Sequence, residues 1–197
     1  MRSPFKAASA AIVIITATGC QTAKPIAMSV GVTPTSPNIQ NGDVLAPQRN
    51  SGLDIPLLHG TEIVTIRTYE TVLDKEQGRS RTVEIENIGC SVESDGYKAS
   101  IKTPAEVRVP DYGYASRPIS VQCNAPGYKP SFKNQTAYNK TFEQRMSGAH
   151  NGGLIGVVAV AVINAASDER KHDFGYRPID VTMNRVGCES AKIGCRN

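Results

Sequence analysis

From residue 61 onward apolar side chains recur at every second position, the period of a strand with one buried face. Ile63, Val64 and Ile66 open the first such run, and Thr65, Thr68 and Tyr69 keep its β character. Gly78-Arg79 marks a turn, after which Val83, Ile85 and Ile88 lead to Cys90. Asp95-Gly96 is a strong hairpin signal, because both residues tolerate the positive φ of a tight two-residue turn. Ala99 and Ile101 follow, then a break at Thr103-Pro104, then Val107 and Val109. Pro110 to Pro118 reads as a loop containing Tyr and Gly, and Ile119, Val121 and Cys123 alternate up to Pro126-Gly127. About six short strands at roughly 8–12-residue spacing predict a mainly β fold, a small antiparallel β-sandwich.

The pattern differs on either side. Upstream, residues 20–60 carry Pro25, Pro34, Pro37, Pro47 and Pro56 among Thr, Ser, Asn and Gly, with few charges. Such a stretch predicts a flexible tether that buries no core of its own. Leu45, Ile55, Leu57 and Leu58 are its candidates for local docking. Downstream, Gly148, Gly152 and Gly156 recur at four-residue intervals, followed by Val157, Val158, Val160, Val162 and Ile163. On a helix these glycines form one smooth face, suited to close packing or to association. The apolar run from Gly152 to Ile163 is about 18 Å long as a helix, short of the roughly 30 Å of bilayer hydrocarbon. The favoured expectation is a helix packed against the protein's own sheet, with self-association or membrane contact as the rival.

The first twenty residues supply an address. Arg2 and Lys6 form a basic start, Ala7 to Ala17 an apolar run, and Ala17-Thr18-Gly19-Cys20 places small residues before a cysteine. That order is a secretory signal whose end resembles a bacterial lipobox, with Ala17 where leucine is usual. The resemblance implies cleavage after Gly19 and acylation of Cys20, and stable anchoring follows from several acyl chains. Gln21 in place of Asp implies sorting to the outer membrane, facing the periplasm. The predicted organisation is a signal at 1–19, a lipid-anchored tether at 20–60, a sandwich domain at 61–184 including the glycine-rich segment 148–166, and a tail at 185–197.

Cysteine usage agrees with that compartment. Of five cysteines, Cys20 takes the lipid and Cys90, Cys123, Cys188 and Cys195 remain, an even number where disulfides persist. Three connectivities exist; Cys90–Cys123 and Cys188–Cys195 are favoured because each pair lies within one segment of similar character. No C-x-x-C spacing occurs, and His59, His150 and His172 are scattered, so neither a metal nor another cofactor is expected. With the signal removed the chain holds 20 bases against 18 acids, a net +2, which excludes electrostatic capture of nucleic acid.

Several landmarks occur in a fixed order: Cys90-Ser91-Val92, Thr103-Pro104-Ala105-Glu106-Val107-Arg108-Val109, Ile119-Ser120-Val121-Gln122-Cys123, and Pro126-Gly127-Tyr128. The glycine-rich stretch and Tyr176 to Met183 complete the series. Over roughly residues 61–184 this layout resembles a family of proteobacterial lipoproteins with a PEGA-like surface module. The resemblance implies a small sandwich and no known enzymatic activity; the tail beyond 184, with its two cysteines, departs from it.

No G-x-S-x-G, phosphate loop or H-E-x-x-H is present, and no pair of acids sits in a catalytic motif. Asp168 to Asp173 reads as a solvated helix end. Tyr112, Tyr114, Tyr128 and Tyr138 suit packing better than an exposed rim. The expected function is a non-enzymatic, lipid-anchored envelope protein acting as a structural or interaction module. Its rivals are a subunit of a larger envelope or secretion assembly joined through the glycine-rich segment, and a peptidoglycan or glycan binding module. Expected partners are the membrane, through the N-terminal lipid, and an envelope protein or a second copy.

Overall fold

The computed structural model describes residues 23–74, 78–149 and 153–187. Strand accounts for 44% of it and helix for 20%, so the fold is mainly β. The signal, Cys20, Gly152, Cys188 and Cys195 lie outside the described residues, as does the expected second disulfide.

The elements run β1 (Met28–Gly31), β2 (Thr33–Pro34), α1 (Ala46–Asn50), β3 (Gly60–Asp74), β4 (Arg79–Ile85), β5 (Gly89–Ser94), β6 (Tyr97–Lys102), β7 (Ala105–Asp111), β8 (Ile119–Asn124), β9 (Ser131–Gln135), β10 (Tyr138–Asn139), α2 (Lys140–Ala149), α3 (Gly153–Ala166), β11 (Phe174–Gly175) and β12 (Ile179–Thr182). One five-stranded sheet has the order β1-β7-β3-β12, with β4 also paired to β3; the other runs β2-β6-β5-β8-β9. Most pairings are antiparallel, as the short hairpins dictate. Two are parallel: β1 on β7 and β12 on β3.

Period-two alternation delivers a single core between the sheets. Ala105, Val107 and Val109 of β7, Ile119, Val121 and Cys123 of β8, and Ile179 and Val181 of β12 all point inward and are buried in one cluster. Glu106, Arg108, Ser120, Gln122 and Asp180 between them face away from the core, and each fully buried Val or Ile contributes about 1.5–3 kcal/mol. The Asp95-Gly96 turn forms as expected, with Ser94 paired to Tyr97 and Gly96 at φ +88°. A Cβ on Gly96 would also stand 2.9 Å from Val44 Cβ, so this turn needs glycine twice over.

The tether is the main correction. Residues 27–60 belong to the domain. β1 pairs with β7 and β2 with β6, so this segment steps from the edge of one sheet to the edge of the other. Val44, Leu45 and Ile55 are buried in the common core, and Tyr112 Oη accepts the Leu45 N–H at 3.2 Å. Proline does not prevent this, because it sits where no ladder donor is needed: Pro34 ends a two-residue edge strand and Pro47 lies in the first turn of α1. Proline and polar content pointed to flexibility, while a few well-placed apolar residues decide the outcome. Of the docking candidates, Leu45 and Ile55 are buried, Leu58 is half-buried and Leu57 stays exposed.

The start of the predicted tail is also integral. Lys129 N–H donates to Asn184 O at 2.8 Å and Val186 N–H to Gly127 O at 2.9 Å. Arg185 donates twice to the buried carboxylate of Glu70, at 2.8 and 3.0 Å, and Tyr128 Oη donates at 2.9 Å. Those bonds, from Arg185 first, outweigh burial and hold the Glu70 carboxyl below its ordinary pKa.

Candidate functional site

Cys90 and Cys123 are directly opposed on β5 and β8, and their sulfurs form a disulfide. Their Cα atoms are 4.1 Å apart, so the bridge staples neighbours within one sheet. The pairing read from the cysteine positions therefore holds.

The glycine-rich segment departs from expectation. Gly148 belongs to α2 and Gly156 to α3, so no single helical face carries the glycine repeat. Glycines are poor helix formers, each costing about 0.8–1 kcal/mol against Ala, so a repeat of them weakens a continuous helix. Gly148 is exposed, and a Cβ built there would meet nothing within 4 Å.

Nor does α3 rest on the sheet. Its principal contacts are with α2, and the two helices form a hairpin rooted beside β10 and β11. Val157, Val160 and Asn164, at helical spacing i, i+3 and i+7, form the half-buried line. The rest of the helical surface after Gly156 is open, with Val158 57%, Val162 63% and Ile163 54% exposed. α3 is uncharged over its 14 residues. A helix that is apolar all round is ordinarily covered all round, whereas from Val157 on α3 is covered along one line only.

The hairpin's root is polar. Asn139 Oδ1 caps α2 by accepting the Phe142 N–H at 2.8 Å. A backbone N–H can only donate, which turns the Asn139 amide nitrogen towards His172 Nδ1, at 2.8 Å. Nδ1 is then an acceptor and Nε2 the donor, bonded to Ser167 Oγ at 2.9 Å. Ser167 Oγ in turn donates to Asn164 O at 3.0 Å, while Arg145 bonds Asn164 Oδ1 at 2.8 Å. Ser, His and Asn thus stand in the order of a hydrolytic triad, but the donors run the opposite way. His172 Nε2 donates to Ser167 Oγ and Nδ1 accepts from Asn139, so in this arrangement the ring presents no acceptor to the hydroxyl. This network locks the ends of α2 and α3 to the turn after them.

Sequence reasoning missed that cluster, because its members are linked only once β10 meets β11. The expected solvated helix end at Asp168 to Asp173 is instead an exposed 3₁₀ turn, Glu169–Lys171, ending at the buried His172. Arg170 pairs there with Asp54 at 2.6 Å. Lys140, at the start of α2, forms ion pairs with Glu62 and with Asp173, which fixes the hairpin's root to β3.

The four tyrosines serve packing. Tyr112 is buried and donates to Asp43 at 2.9 Å; Arg170, Arg185 and Arg177 lie over Tyr114, Tyr128 and Tyr138 at 5.9, 5.5 and 4.9 Å. Burial raises the Asp43 carboxyl, but its bonds from Arg49 and Tyr112 prevail and hold it low. Among the described residues no three His, Cys, Asp or Glu side chains are grouped to hold a metal ion.

No family model, curated protein or solved structure matches this chain.

Proposed function

We propose that this chain is a non-enzymatic, lipid-anchored protein of the cell envelope, in which a β-sandwich carries an apolar helical hairpin as its association element. The observation that carries the reading is α3: uncharged, and from Val157 on half-buried along one line and exposed elsewhere. A protein that leaves such a helix unpaired in the monomer gains free energy by burying it, at about 25 cal/mol per Å² of apolar surface. The lipobox-like Ala17-Thr18-Gly19-Cys20 supports the anchor and the outer-membrane, periplasm-facing address. The resemblance of the ordered landmarks from Cys90 to Met183 to PEGA-like lipoproteins supports the same class.

The integral N-terminal segment changes the expected geometry. Ala27 N–H already bonds Pro104 O, only seven residues after Cys20. An acylated Cys20 would hold the sandwich within about 25 Å of the bilayer. The long spacer first expected would have reached roughly five times further.

The test is light scattering of the full chain in mild detergent, alone and with Val158→Asp plus Val162→Asp. Oligomers that disperse in the double variant support self-association through α3. A monomer that crosslinks through position 162 to another envelope protein in intact cells supports the assembly-subunit reading. A monomer with no crosslink from that position overturns both. Metabolic palmitate labelling, present in the wild type and lost in Cys20→Ser, tests the anchor separately.

A further inference from the structure

Two concavities border the N-terminal segment, and neither belongs to the hairpin. The larger, about 530 Å³, lies between the turn before α1 and the chain that follows it. The carboxamides of Asn38, Gln40, Asn41 and Asn50 line it, with Leu57 and Leu58 as its apolar side. None of these four side chains has a hydrogen-bond partner among the described residues. Asp43 is its one acidic lining residue, and both carboxylate oxygens are engaged, by Arg49 and Tyr112. Leu57 is 70% exposed, although its neighbours on both sides turn towards the protein.

The smaller concavity, about 230 Å³, shares Asn41 and Leu58 with the larger one, so the two adjoin. Val32, Pro34, Val44 and Pro110 give it an apolar lining, and Arg108 contributes a cation. Arg108 points outward from β7, is exposed, and has no acidic partner among the described residues. The trough therefore joins one free guanidinium, one apolar hollow and a row of free carboxamides.

We infer that this trough binds the C-terminal end of a short peptide with an apolar last residue. A guanidinium matches a carboxylate with two parallel N–H donors, and this pairing is stronger than a neutral hydrogen bond. The apolar hollow beside Arg108 takes the terminal side chain. Each carboxamide both donates and accepts, which matches the N–H and C=O of the preceding peptide groups. The volume suits a ligand of a few residues, within the usual range of about 300–1,000 Å³ for small-molecule sites. A neutral sugar would use the same carboxamides, but no aromatic ring lines either hollow to stack on a sugar face, and Arg108 would have no partner. The inference is independent of lipidation and of the hairpin.

The test is calorimetric titration of the full chain with acetyl-Ala-Ala-Val as free acid and as C-terminal amide. The acid should bind at least about tenfold more tightly, the worth of one charge-assisted contact. Arg108→Gln should reduce the acid to the level of the amide with an unchanged melting curve, because Arg108 pairs with no acid. Asn50→Ala should weaken both forms alike. Equal binding of acid and amide, or binding of neither, overturns the inference, and the wild-type comparison decides this even if a variant fails to fold. Binding of a chito-oligosaccharide without the peptide overturns it equally, by giving the trough to a glycan.

Discussion

Val107 and Val162 are the same side chain in opposite settings. Val107, midway along β7, is fully enclosed between the sheets, whereas Val162 on α3 is 63% exposed. Around Val107 each apolar residue alternates with a polar one, so the strand satisfies itself within one chain. Around Val162 the apolar residues run on without alternation, and α2 covers one line of them. A sandwich of period-two strands closes on its own; a helix apolar on every side does not. The difference separates what the chain needs to fold from what it holds available for a partner.

Breaking the sandwich should therefore have the largest effect. Ile66 of β3 is completely buried, and Ile66→Ala leaves a cavity costing about 2–5 kcal/mol. Replacing both Cys90 and Cys123 by Ser removes a staple of about 2–5 kcal/mol, typical of small secreted domains. Denaturant unfolding should register both losses, and neither should change the association behaviour of α3. A core variant that unfolded normally but lost its oligomers would reverse the assignment of roles.

The two regions were also unequally legible in the sequence. Alternation at Val107, Val121 and Val181 survives in any strand pairing, so the mainly β fold and the Cys90–Cys123 staple could be read directly. The segment around Leu45 could not, because proline and polar content say nothing of where a single leucine enters the core. The glycine repeat misled for a physical reason: spacing of four implies a common face only if one helix carries it, whereas Gly148 lies in α2, which closes at Ala149, and Gly156 lies in α3. The link from Asn139 through His172 to Ser167 depends on β10 meeting β11, which no local pattern announces. The trough beside Arg108 depends likewise on the N-terminal segment crossing from β7 to β6.

Alkaline pH offers a second way to sharpen the comparison. Burial lifts the Tyr112 phenol to about 12, and the Asp43 carboxylate beside it adds to the rise. A folded pKa above the unfolded value of 10.0 favours the neutral, folded form. Its contribution is complete below pH 10 and is lost as pH rises through 10 towards 12, a total on the order of 1–3 kcal/mol. Tyr112→Phe should flatten that part of the stability curve, followed by tyrosinate absorbance. Because Tyr112 tethers Leu45, loss of the N-terminal segment should precede that of the sheets.

Acid acts at the opposite closure of the domain. Glu70 is 7% exposed and its pKa is lowered, chiefly by the Arg185 hydrogen bonds. A lowered folded pKa contributes stability that is present above the ordinary value of 4.5 and lost as pH falls through the folded one. Glu70→Gln should remove about 1–3 kcal/mol at neutral pH and leave a shallower acid limb. Arg185→Ala should have the same sign. If melting curves of wild type and Glu70→Gln fell in parallel below pH 4.5, the carboxylate would not be what pins residues 184–187.

The smallest expected effect decides most about the hairpin. Gly148 is exposed on α2, its φ is not left-handed, and an added Cβ would meet nothing within 4 Å. Ala favours helix over Gly by about 0.8–1 kcal/mol in a helix interior. Next to the last residue of α2 only part of that is realised, so Gly148→Ala should raise stability by a few tenths of a kcal/mol. If the glycine repeat were instead a close-contact face, the same methyl group would push two backbones apart and lower both stability and association. Association through the open valines of α3 should be untouched, because Gly148 lies on the other helix. A fall in melting temperature together with loss of oligomers would return the glycines, rather than Val158 and Val162, to the centre of the interface.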